Sequence, residues 1–148
     1  MIVGSHTQPE YAKIYPPVER VFHASLPAKE KFLSFDRLWE IYEEEAPMPQ
    51  EENFYEYAVS SDTTQMSIQK VAWDAYVAVG GMGYTRVDVR IDKNTGTPYV
   101  LEVNAQCGIS EDENFTSIGA ILRYANQSFT ELIIHIINDA FARRRKLN

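Results

Sequence analysis

The sequence predicts an α+β fold, an antiparallel β-sheet with helices packed on one face. Three observations lead there. Residues 84–91 and 99–104 alternate apolar and polar side chains on either side of a turn. Three further stretches carry apolar residues at helical spacing, one before that hairpin and two after it. At 148 residues, 45% hydrophobic and 24% charged, the chain is long and apolar enough to bury one core.

Residues 1–60 read as one segment and 61–148 as another. Met1-Ile2-Val3-Gly4-Ser5 turns polar at once, which predicts no signal peptide, and no apolar run is long enough to cross a bilayer. Tyr11 to Ala24 holds strand-forming residues interrupted by Pro16-Pro17, so any strand there lies at an edge or carries a bulge. Phe22, Phe32, Phe35 and Trp39 read as core aromatics. Residues 40–56 contain seven glutamates and no lysine or arginine, with Pro47 and Pro49 between them. That stretch reads as a solvated acidic loop.

From Asp62 onward, Ile68, Val71, Ala72, Ala75, Tyr76 and Val79 form one apolar helical stripe. Asp62 and Gln65 have capping-box spacing, and Gly80-Gly81 ends the helix. In the strand over 84–91, Val87, Val89 and Ile91 face one way and Arg86, Asp88 and Arg90 the other. Asp92 to Thr97 has turn composition rather than the offsets of a calcium loop. In the strand over 99–104, Tyr99, Leu101 and Val103 share a face opposite Val100, Glu102 and Asn104. Residues 117–125 predict a helix with Ile118, Ile121, Leu122 and Ala125 inward. The last helix runs from Phe129 to about Arg145, capped by Ser128 and Glu131, with Leu132, Ile133, Ile136, Ile137, Ala140 and Phe141 inward. His135 falls on its polar side.

Composition excludes several function classes. Fourteen basic and 21 acidic residues give a net charge of −7, which disfavours general nucleic-acid binding. A metal ion can still bring phosphates to an acidic surface. A single cysteine excludes an internal disulfide framework and a multi-cysteine zinc site, and fits a reducing, cytoplasmic setting.

The two strands can be registered from their patterns. The pairing that keeps both apolar faces on one core sets Val87 opposite Val103, Val89 opposite Leu101 and Ile91 opposite Tyr99. It also sets Asp88 opposite Glu102 and Arg86 opposite Asn104. Two carboxylates directly across a sheet repel one another. At ~5 Å and an effective dielectric of ~20 the repulsion is on the order of 3 kcal/mol. A shared proton, a neighbouring arginine or a bound cation relieves it. Arg86 and Arg90 lie on the same face and suffice as neighbours. Asn104 adds a third oxygen there, a donor set that suits Mg²⁺.

These same residues carry a family resemblance. Gly80-Gly81-Met82-Gly83-Tyr84-Thr85-Arg86-Val87-Asp88, followed by Leu101-Glu102-Val103-Asn104-Ala105-Gln106-Cys107-Gly108-Ile109-Ser110, resembles the metal-binding end of ATP-grasp ligases, nearest to the D-alanine–D-alanine ligases. The pattern is G-x-x-R-x-D on one strand and L-E-x-N-x-x-P-G after a turn. The resemblance implies the C-terminal half of an ATP-grasp fold, with residues 1–60 as the tail of its first subdomain and 61–148 as its metal- and phosphate-binding subdomain. It implies a carboxylate–amine ligase that uses ATP with Mg²⁺ or Mn²⁺ and passes through an acyl phosphate. By resemblance Asp88, Glu102 and Asn104 hold metal, Arg86 contacts the transferring phosphate or the acyl intermediate, and the Gly108 amide stabilises an oxyanion. Ser110, Thr116 and Ser117 fall in the region that binds the second substrate, an amino-acid-like molecule.

Two departures accompany the resemblance. Cys107 stands where the family has proline and reads as a small buried residue. Phe35-Asp36-Arg37-Leu38-Trp39 resembles a family segment with lysine where Leu38 stands, so one nucleotide-phosphate contact is either lost or moved to Arg37. None of the six lysines follows a glycine-rich loop. The chain therefore reads as the C-terminal part of a ligase, inactive alone. The alternative is a non-catalytic interaction module derived from the same scaffold and acting as a homodimer. A metal-dependent hydrolase built on the paired carboxylates is a third option.

Overall fold

A computed structural model of the chain describes residues 1–32, 53–59, 61–105, 107–112 and 116–145. In chain order the strands are β1 (Ile2–Ser5), β2 (Lys13–Ile14), β3 (Val18–Phe22), β4 (Tyr55–Val59), β5 (Met82–Ile91) and β6 (Pro98–Asn104). The helices are α1 (Asp62–Ala78), α2 (Ser117–Tyr124) and α3 (Phe129–Arg145). The fold is α+β.

Two compact units are present, one of Met1–Val18 with Val59–Asn148 and one of Glu19–Ala58. The chain thus divides at 18 and 59 rather than once at 60. The reason is β1, which pairs antiparallel with β5 (Ile2 with Thr85, Val3 with Tyr84) and so ties the first residues to the later sheet. In the smaller unit β3 and β4 pair as a two-stranded sheet. Phe22 meets Phe54 and Tyr55 edge-on, at 5.4 and 6.2 Å between ring centres. Phe32, expected in a core, is 47% exposed. Phe35, Trp39 and most of the acidic stretch lie outside the described residues.

The larger unit carries an antiparallel sheet in the order β2-β1-β5-β6. Successive side chains of a strand point to opposite faces, and β1 shows it directly. Ile2 packs with Ala72 and Tyr76 of α1, joined by Ile14, Val87 and Val103. Met1 and Val3 pack with Ile118, Ile121 and Leu122 of α2 and Leu132 of α3. The helices therefore divide between the two faces of the sheet rather than packing on one, because alternation along β1 leaves apolar residues on both sides, and each face has its own core.

The hairpin follows the expected register as far as Asp88 opposite Glu102, and there it shifts. Val89 pairs with Val100, Arg90 with Tyr99 and Ile91 with Pro98, so Leu101 is the extra residue of a bulge. The expected pairs Val89–Leu101 and Ile91–Tyr99 do not form. Displaced from the core face, Leu101 is 63% exposed and Tyr99 58%. At the turn the Asp92 carboxylate accepts the amides of Asn94 and Thr95, each at 2.8 Å, and these bonds lower its pKa.

Helix ends show two differences from the sequence pattern. The N-cap of α1 is Ser61 rather than Asp62, and its hydroxyl makes no cap bond, so no Asp62–Gln65 capping box forms. Gly80, at φ +68°, turns the chain out of α1, and Val79 lies past the helix and is exposed. At α3 the capping box is present: the Glu131 carboxylate accepts the Ser128 amide at 2.7 Å, and the Ser128 hydroxyl accepts the Glu131 amide at 3.2 Å. Along α3, Leu132 is buried while Ile137, Ala140 and Phe141 are exposed. The helix turns Asp139 and Arg143 toward the interior instead, paired at 2.8 Å.

Candidate functional site

The site begins with alternation on β5. Tyr84, Arg86 and Asp88 share the face on which α2 and α3 pack, because Val3, opposite Tyr84, is in that core. The register places Asn104 beside Arg86 and Glu102 beside Asp88 on the same face. Thr85, pointing the other way and buried, donates its hydroxyl to the Asn104 carbonyl at 2.8 Å. This bond fixes the backbone of β6 where Asn104 leaves the sheet. The pattern of β5 contained its signal, a hydroxyl residue on an otherwise apolar face, but sequence reasoning assigned Thr85 no role.

Arg86 grips Asp88 side-on. Its Nε donates to Oδ1 at 2.6 Å and its Nη2 to Oδ2 at 2.9 Å, a two-point fork. The side chains are 24% and 33% exposed, so solvent screens the pair only in part. The third donor, Nη1, reaches the Ser117 hydroxyl at the start of α2 at 3.4 Å. The Asp88 bond raises the Arg86 pKa above its already high ordinary value against the opposing effect of burial, with Asp88, Cys107 and Glu102 adding in the same direction. A neighbouring arginine is thus the contact that meets Asp88 in this structure. Glu102 is exposed at the outer edge of the group.

The remaining expected residues divide into three groups. Thr116 is committed to the helix: its hydroxyl accepts the Gly119 amide at 3.1 Å and donates to the Asp112 carbonyl at 2.7 Å. Ser110 sits beside it, with its carbonyl 3.4 Å from the Thr116 hydroxyl. Gly108 is exposed, and a side chain there would meet nothing within 4 Å. Arg37 and Leu38 lie outside the described residues.

Cys107 is 2% exposed and belongs to the core under α2, as a small buried residue. Burial raises its thiol pKa and keeps it protonated at neutral pH, although the charge and backbone of Arg86 act the other way. Among the described residues no three His, Cys, Asp or Glu side chains gather into a metal set. Any cation on this face depends on two carboxylates, Asp88 and Glu102, with Asn104 as the third donor.

The arrangement offers a fixed cation, two anions and an amide at one sheet edge, beside the start of a helix. Such a set can bind an anion through Arg86 or a hard cation through the carboxylates.

Comparison with known proteins adds an independent finding. A family model described as D-ala D-ala ligase C-terminus matches residues 30–138, well over half of the chain. A D-alanine--D-alanine ligase of Methylorubrum extorquens (strain PA1) is 38% identical over 80 residues, which is 52% of this chain and 25% of that protein. The ligase of Treponema denticola is 37% identical over 93 residues, 59% of this chain and 24% of the relative. That of Nitrosococcus oceani is 31% identical over 84 residues, 57% and 25% respectively. The chain spans about a quarter of the length of the curated relatives it matches. No solved structure gives a significant match.

Proposed function

The chain belongs to the family of D-ala D-ala ligase C-terminal domains, and on that premise we propose that it supplies the metal- and phosphate-binding part of an ATP-dependent carboxylate–amine ligase. The observation that carries this reading is the register at Asp88 and Glu102. It brings two carboxylates together beside Arg86 and Asn104 on one face. The donor chemistry fits Mg²⁺ or Mn²⁺: hard oxygens only, with Glu102 exposed and Asp88 partly so. Asp88, Glu102 and Asn104 would hold the ion, which when bound neutralises charge on the phosphates of ATP.

The roles of the other residues derive from their placement. Arg86 carries a fixed positive charge that can meet the phosphoryl group as it transfers to the first substrate's carboxylate. Ser117 steadies the guanidinium from the start of α2. Gly108 is exposed, and its amide would donate to the oxyanion formed when an amine attacks the acyl phosphate. Ser110, next to Thr116, borders the second, amino-acid-like substrate, while Thr116 acts as the helix cap.

In this reading the chain alone releases no phosphate from ATP, because its match covers only about a quarter of each ligase. The enzyme works in the cytoplasm. No helix among the described residues is long and apolar enough to cross a membrane.

A chimera tests the reading. Residues 62–142 replace the matching quarter of the Treponema denticola ligase, and ATP-dependent phosphate release is measured with D-alanine. The chimera should turn over, and Asp88→Asn in it should remove turnover. A folded, nucleotide-binding chimera equally active with and without Asp88 contradicts the proposal. A second reading, the non-catalytic homodimer, draws on the exposed Ile134, Ile137 and Phe141 of α3. Sedimentation separates the two: a dimer indifferent to Mg-ATP favours the module.

A further inference from the structure

The fork between Arg86 and Asp88 bears on how a cation reaches this face, an inference that rests on the metal-binding role proposed for Asp88, Glu102 and Asn104. Both oxygens of Asp88 are taken, at 2.6 and 2.9 Å, by two donors of one planar group. A divalent ion of the size of Mg²⁺ binds a carboxylate oxygen at about 2.0–2.1 Å, and on Asp88 it would have to take the lone pair left beside the guanidinium, next to a fixed positive charge. The guanidinium and the ion cannot both sit against one half-buried carboxylate without strong mutual repulsion.

The pair is also poised to open. Nη1 of Arg86 already touches the Ser117 hydroxyl at 3.4 Å, away from Asp88. Glu102, exposed and directly across the register, offers an incoming ion its first carboxylate without disturbing the fork.

We propose that Arg86 is a built-in counter-cation for Asp88 that a divalent ion must displace, so that loading the metal and freeing the guanidinium are one event. Without metal, the fork screens the repulsion between Asp88 and Glu102. With metal, the ion takes over that task. Arg86 keeps its hold on Ser117 and turns its two freed donors toward a phosphate. The positive group that meets the transferring phosphoryl is thereby released only when the cation is in place.

The test is Mg²⁺ titration of the 148-residue chain, ¹⁵N-labelled, observing the Arg86 Nε–Hε resonance together with the backbone amides of Glu102 and Asn104. Arg86→Lys assigns the side-chain signal. The Arg86 signal should move with the same midpoint as the two amides. Arg86→Gln should bind Mg²⁺ at least about tenfold more tightly, the equivalent of one charged hydrogen-bond pair no longer opposing it. Arg86→Lys, which keeps the charge but not the fork, should fall between the two and carries the comparison if Arg86→Gln loses its dispersed amide spectrum. An Arg86 signal that stays fixed while the Glu102 and Asn104 amides titrate overturns the displacement and leaves the metal site standing. Unchanged affinity in both Arg86 variants overturns it as well. If none of the three proteins shows titration at Glu102 or Asn104, the metal reading fails and the displacement with it.

Discussion

Gly81→Ala tests the packing that seats the site-bearing strand on α1. A Cβ at Gly81 would lie 2.1 Å from Cε2 of Tyr76, 2.2 Å from Cδ2 and 2.5 Å from Cζ. Carbon atoms in ordinary contact stand about 3.5 Å apart, so the ring must retreat by roughly 1.4 Å. It has little freedom to do so. Tyr76 is 2% exposed, packs on Ile2, and donates its hydroxyl to the Gly4 carbonyl at 2.8 Å. Burial pushes its phenol up to about 12, so that proton is present at every working pH.

Overpacking of this kind costs about 1–3 kcal/mol. Losing the Gly4 bond adds about 1 kcal/mol. The sum, about 2–4 kcal/mol, is a large share of the stability of an ordinary domain. Gly81 has no positive φ, unlike Gly80, so backbone strain contributes nothing. Urea unfolding of Gly81→Ala should show the loss as a lower midpoint at unchanged slope. In a Tyr76→Leu background the same substitution should cost less than about 0.5 kcal/mol, because the ring is gone. An equal cost in both backgrounds would falsify the steric argument.

The caps and the half-buried histidine give two further outcomes. Ser128→Ala removes the hydroxyl that accepts the Glu131 amide at the start of α3 and should lower stability by about 1 kcal/mol, read as a drop of a few degrees in melting temperature. His135 is half-buried, and burial lowers its pKa, with the Lys13 charge acting the same way and Asp139 opposing. A depressed histidine gives stability that is present above its unfolded pKa of about 6.5 and lost as pH falls through the lower folded value. The urea midpoint should therefore fall between about pH 7 and pH 5, and His135→Gln should flatten that slope; a slope unchanged in the variant contradicts the assignment.

Much of the architecture was legible because its signals are local. The hairpin, α1 and the Ser128–Glu131 box each rest on residues a few positions apart, and the register of Arg86 and Asp88 comes from alternation alone. The bulge at Leu101 was not legible. Leucine suits an apolar slot as well as an extra position, and only the three-dimensional twist decides between them. β1 was hidden because its partner β5 lies about eighty residues away and its four residues include a glycine. The inward face of α3 follows the pattern at Leu132 and Ile136 but not at Ile137, Ala140 and Phe141, because isoleucine occurs at 133, 134, 136 and 137, nearly all round the helix. The Asp139–Arg143 pair marks the inward side instead, a choice that depends on what packs against it.

At the site, spacing put Asp88, Glu102 and Asn104 on one face but left three ways to relieve the carboxylate clash. The fork from Arg86 depends on rotamers, which no pattern of residue types encodes. Thr116 reads as a substrate hydroxyl in sequence and as a cap in structure, because the same group serves either purpose.

The ligase reading stands on Asp88, Glu102 and Asn104 together holding a divalent ion. Electron paramagnetic resonance of Mn²⁺ titrated into the purified chain, and into Asp88→Asn, Glu102→Gln and Asn104→Ala, measures it most directly. Binding to the unaltered chain should be saturable, weakened in all three variants and most in those that lose a carboxylate. Binding of equal strength in all four proteins, or none in any, contradicts it.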